Sequence, residues 1–160
     1  MSRIEYDDSL SDQQVALQMG RDKHTVRGKV SQAFLAELEQ YLLRMNPKRL
    51  ISGVLCNEDG EVCALGLVAK HRLLQQGFTH AGIFATLALP WQADDDDIDG
   101  NALDYAEQEL GISRTLAWLV MEANDDPGGW GRRRTPEQRH AWVLDEVRRM
   151  QQGQLPSRFP

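Results

Sequence analysis

The chain has 160 residues, 41% of them hydrophobic, enough for one domain with a real core. No run approaches the eighteen apolar residues of a membrane span, and the opening MSRIEYDDSL is acidic rather than signal-like, so a cytoplasmic protein with no membrane partner is expected. The net charge of −6 hides a segregation: residues 1–49 carry 8 basic and 7 acidic side chains, residues 50–128 carry 3 and 14, and residues 129–160 carry 7 and 3. An acidic middle of that strength repels nucleic acid over most of a surface and leaves only local basic patches.

In chain order, Ser11 and Gln14 have the spacing of a capping box, predicting a short helix from Asp12 to Met19 that stops at Gly20. After a basic segment, Phe34, Leu35, Leu38, Tyr41, Leu42 and Met45 mark one face of a second helix, ended by Asn46-Pro47. Residues 50–56 and 62–67 are apolar runs flanking Asn57-Glu58-Asp59-Gly60, the composition of a β-hairpin turn. Gly60 should have positive φ, with Cys56 and Cys63 buried and reduced on the two arms. From Gly66 the period turns helical through Leu67, Val68, His71 and Leu74 until Gly77. Residues 78–91 suit a strand or a buried loop equally.

Asp99 is placed to cap a helix burying Leu103, Ala106 and Leu110 and stopped by Gly111. Ser113 caps the next, with Leu116, Ala117, Val120 and Met121 inward, and residues 124–129 read as a loop. Thr135, Pro136 and Gln138 start a last helix that reaches about Met150 and buries Ala141, Leu144, Val147 and one of Trp142 or Val143. The expected fold is mainly α, a single domain over 1–160 of about five to six helices and one small two-stranded β-hairpin. Residues 1–10 and 151–160 should be flexible ends.

Several patterns bear on function. Ala16, Gly20 and Val26 match positions 1, 5 and 11 of a helix-turn-helix, whose second helix would present Lys23, His24, Thr25, Arg27 and Lys29 to DNA. Asp95, Asp97, Asp99 and Gly100 imitate a calcium loop, but Ala106 stands where the bidentate glutamate belongs, so no bound metal is expected. Cys56 and Cys63 lack zinc-site spacing, and no nucleophile–base arrangement or phosphate loop is recognisable. A Cys63–His71–Asp125 cluster, or a hydrolase or nuclease site assembled from Asp125, His71 and His140, is the remaining catalytic alternative. No catalytic residue and no cofactor is assigned. Trp130 with Arg132, Arg133 and Arg134 places an aromatic and three cations in a glycine-rich loop, next to Asn124 and Asp125, which makes this loop the expected partner-binding surface.

The segments VRGKVSQAFLAELEQYL, NPKRLI, DGEVCALGLVAKHR, LGIS, and ANDDPGGW followed by TPEQR resemble a family of phage and prophage proteins of uncharacterised activity. Where relatives place Trp after TPEQR, this chain has His140-Ala141, and its acidic run at 94–97 is longer. The resemblance implies a phage or prophage protein and brings no activity with it. The lack of a recognisable active site, the segregated charge and the loop at 130–134 lead to the expectation of an accessory protein that acts by binding a host or phage protein. The alternatives are a small DNA-binding regulator using residues 12–30, and a hydrolase or nuclease.

Overall fold

A computed structural model describes residues 11–90, 101–125 and 134–157. Among these the protein is mainly helical: α1 (Asp12–Arg27), α2 (Lys29–Arg44), α3 (Ala64–Gln75), α4 (His80–Leu87), α5 (Ala102–Tyr105) running into a π-helical turn (Ala106–Leu110), α6 (Arg114–Asn124) and α7 (Pro136–Gln151). Helix α3 lies at the centre, with residues 64–69 all buried, and α2, α4 and α6 pack around it. Helix α7 closes the far side against α2 and α6.

Both capping boxes form, Ser11 with Gln14 and Thr135 with Gln138, each side chain taking an otherwise orphaned amide at a helix start. Gly77 stops α3 at φ 89°. The Gly77 amide donates to the Leu74 carbonyl and the Phe78 amide to Leu73, the paired bonds of a Schellman cap. The same paired bonds recur after α7, where Gly153 at φ 78° donates to Met150 and Gln154 to Arg149.

The two-stranded hairpin does not form. Among the described residues there is no sheet, only isolated antiparallel bridges Cys56↔Val62 and Val54↔Pro90. The turn itself is present, with Gly60 at φ 80° and the Asn57 carboxamide oxygen accepting from the Asp59 and Glu61 amides. What is missing is a second arm. Cys63 already caps α3, its Sγ accepting from the Gly66 amide at 3.4 Å, so only Glu61 and Val62 remain to pair.

Helix α1 also departs from expectation by running unbroken through Gly20. Nothing lies within 4 Å of where a Gly20 Cβ would stand, and an exposed helical glycine costs only about 1 kcal/mol, too little to interrupt a favourable ladder. The break comes instead at Gly28, a one-residue elbow into α2. Residues 80–87 are helical rather than strand or loop, because the Thr79 hydroxyl accepts from the Gly82 amide and starts α4. Asn101 caps α5, while Asp99 and the rest of the acidic run lie outside the described residues.

The last helix buries Val143 and Val147 as expected, but not the other residues of the expected face. Val143, Val147 and Met150 are its core residues, Ala141 is exposed, and Trp142 and Leu144 are half-buried. The tail does not fray over its described part. Gly153, Leu155 and Pro156 are buried, Arg149 Nε donates to the Leu155 carbonyl at 2.7 Å, and Arg27 Nε donates to the Gly153 carbonyl at 3.2 Å.

Candidate functional site: a cleft beside the π-helical turn

Among the described residues, the side chains singled out from sequence are not gathered into one site. Asn124 and Asp125 are buried, at 0% and 6% exposure, so neither belongs to an exposed loop. Asn124 is a structural bridge: its Oδ1 accepts from the Ala64 amide at 2.9 Å and its Nδ2 donates to the Ile51 carbonyl at 2.8 Å. Arg134 stacks on Trp142, its guanidinium carbon 4.2 Å from the ring centroid. Trp130, Arg132 and Arg133 lie outside the described residues.

The helix-turn-helix geometry is absent because α1 has no turn at Gly20. Lys23, His24, Thr25 and Arg27 sit near the C-terminal end of that one helix, and Lys29 follows the elbow at the start of α2. A recognition helix offers its N-terminal residues to the groove. Here His24 and Arg27 lie in the last turn of α1, where positive charge suits the helix dipole. Arg27 is further engaged by the Gly153 carbonyl, and the Thr25 hydroxyl donates to the Arg21 carbonyl.

The imagined catalytic cluster also separates. Cys63 is fully buried, and Asp125 is close enough to oppose its ionisation. His71 is eight residues further along α3, about 12 Å at the helical rise, and stacks on Tyr41 with centroids 4.1 Å apart. His140 Nε2 is 2.7 Å from the Leu42 carbonyl, far along the sequence on the α2–α7 seam. Burial pushes the Cys63 thiol from 9.0 up to about 12, opposite to what a reactive thiolate needs. Burial likewise raises Cys56, with Lys70 opposing it. Among the described residues no group of three His, Cys, Asp or Glu side chains could hold a metal ion, and no helix is long and apolar enough to cross a membrane.

The Cys63 environment has a measurable consequence. In the folded chain the thiol stays protonated above pH 9, whereas in the unfolded chain it ionises there. Unfolding therefore releases a proton in that range, and stability falls as pH rises from about 9 toward 12, by about 1.4 kcal/mol per pH unit for this one group. Urea titrations should show that slope in the wild type and a shallower one in Cys63→Ala, whose plateau below pH 9 is lowered by the cavity. Parallel slopes would contradict it.

The structure does assemble one site that periodicity could not show. Between the end of α3, α4 and the α5–π segment lies a cleft of about 510 Å³, with Leu73 and Leu89 apolar, Phe78 and Tyr105 aromatic, and Asp104 and Glu109 acidic. Each wall has a local cause. The Schellman cap at Gly77 turns Phe78 outward, leaving it 41% exposed beside Leu74 at 39%. Leu89 is anchored by its carbonyl, which accepts from the Leu55 amide at 3.1 Å, and the Pro90 carbonyl accepts from Ala102 at 2.9 Å, setting where α5 begins. The π-helical turn then carries Glu109 on the surface; such insertions recur at functional sites. Burial raises the Tyr105 phenol, Glu109 adds to the effect, and Arg72 opposes it. Asp104 pairs with Arg114.

A smaller cavity of about 230 Å³ lies between the Gly60 turn and α4, lined by Cys56, Asp59, Lys70 and His80 among others. Its lysine is tied into the turn, Nζ donating to the Gly60 carbonyl at 2.9 Å.

Compared with known proteins, the chain matches no family model, no curated protein and no solved structure.

Proposed function

We propose that this protein acts by binding another protein, and that the cleft beside the π-helical turn is the contact surface. The observation that carries this reading is the cleft itself, where Phe78, 41% exposed, stands with Leu89 and Tyr105 beside Asp104 and Glu109. Phe78 is the residue just past the Schellman cap, where an apolar contact back to Leu73 commonly accompanies the motif, yet its ring stays 41% exposed on the cleft wall. Aromatic side chains beside a concave, mixed apolar and polar surface are typical anchors of protein interfaces.

The test uses the full chain as bait in a proteobacterial lysate. Wild type and the exposed control Leu17→Ser should retain the same protein in near-stoichiometric amount, and Phe78→Ser should lose it. Phe78 has more than half of its surface covered, so Phe78→Ser should melt somewhat lower than wild type, and the capture is read well below its midpoint, where the variant is folded. Retention of the partner by Phe78→Ser, or capture of nucleic acid in place of protein, would overturn the reading.

A further inference from the structure

We infer that the cleft takes a lysine or arginine side chain of the partner protein, its alkyl stem on Phe78 and Leu89 and its charge at Glu109. The inference deepens the binding role proposed above and rests on it. Three observations on separate elements converge. The described residues lining the cleft include the carboxylates Asp104 and Glu109 but no lysine, arginine or histidine. Asp104 is engaged by Arg114, so Glu109, exposed on the π-helical turn, is the carboxylate positioned to meet an incoming charge. Beside these acids stand two aromatic rings, Phe78 and Tyr105, and two leucines, Leu73 and Leu89.

That combination fits an amphipathic cation better than a neutral or anionic group. Lysine and arginine lay apolar stems along hydrophobic surface while their heads seek water, carboxylates or ring faces. An anion would be repelled by the Glu109 carboxylate. A purely apolar side chain would strip water from Glu109 without giving it a partner. The described residues of 50–128 strengthen the preference, since they carry 8 acidic against 3 basic side chains, a balance that favours a basic segment.

The experiment is a titration of the isotopically labelled full chain, followed by amide NMR. The probes are the capped peptide Arg-Leu-Leu-Arg, the matched Gln-Leu-Leu-Gln, and spermidine. The arginine peptide should saturate shifts at Gln76, Phe78, Thr86, Tyr105 and Glu109, weaken in 0.5 M salt, and bind about fivefold less well to Glu109→Lys. The glutamine peptide should fail, and spermidine should bind more weakly because it lacks the leucines. Equal binding of the glutamine peptide, no loss in Glu109→Lys, spermidine binding as tightly as the arginine peptide, or shifts spread over the acidic surface would each overturn the inference. The two proposals fail separately. A lysate partner lost by Phe78→Ser but kept by Glu109→Lys would leave the binding role standing and remove the cationic specificity.

Discussion

Replacing Gly66 with alanine should destabilise the protein by about 3 kcal/mol or more, a large part of the stability of a domain this size. The backbone conformation is ordinary; the difficulty is distance. An ideal Cβ on Gly66 would stand 1.9 Å from the Leu55 carbonyl oxygen and 2.7 Å from its carbon. Leu55 is fully buried, its carbonyl accepts from the Cys63 amide at 3.2 Å, and its amide donates to Leu89 at 3.1 Å. Relief requires moving that backbone away and breaking these bonds, each worth about 1 kcal/mol, or displacing α3, whose residues 64–69 are all buried. Gly20→Ala is the matched control. It lies in a helix with open space around it and should stabilise by about 0.5–1 kcal/mol. A urea midpoint for Gly66→Ala equal to wild type would mean that the segment before α3 does not lie against it.

The second large effect is expected at Asn124. Truncation to alanine leaves the Ala64 amide and the Ile51 carbonyl without this partner in a buried setting, at about 1–3 kcal/mol each, so a loss of about 3 kcal/mol is expected. Asn124→Asp separates packing from hydrogen bonding. Its carboxylate still accepts from Ala64 but has no proton for Ile51, and it stands next to Asp125. Burial and that neighbour raise the new carboxyl above its unfolded value near 4. The folded variant then binds the extra proton first, so its deficit relative to wild type should shrink as pH falls toward about 4. A deficit independent of pH would show that Asn124 does not bridge these segments.

Much of the helical framework was legible because its signals are local. Ser11 with Gln14, Thr135 with Gln138, and the glycines at 77 and 111 act through neighbours three or four residues away, and each marks a boundary in the structure. Gly20 and Gly66 show where local reading fails. One was expected to end a helix and does not; the other was read as the start of a helix but is needed for contact with Leu55. The hairpin was misread for a similar reason, since Cys63 suits a strand by composition but caps α3. Asn124 opens a stretch of loop-like composition, yet its contacts with Ile51 and Ala64 lie 73 and 60 residues away. The cleft draws on residues 73–78, 86–89 and 101–109, and no periodicity within any one of them brings the three together.

The elbow at Gly28 is held from an unexpected quarter. Gln32 Nε2 donates both to Val26 across the bend, at 2.8 Å, and to the Met150 carbonyl at the end of α7, at 3.1 Å, while Arg27 reaches Gly153. The angle between the first two helices is thus braced by the last residues of the described chain to be synthesised. On the ribosome, α1 and α2 leave the exit tunnel more than a hundred residues before their brace does. Until α7 follows, the face of α2 that carries Glu39 and Leu42 lacks its partners Arg148 and His140, and a nascent chain stalled before residue 136 would offer that face to chaperones.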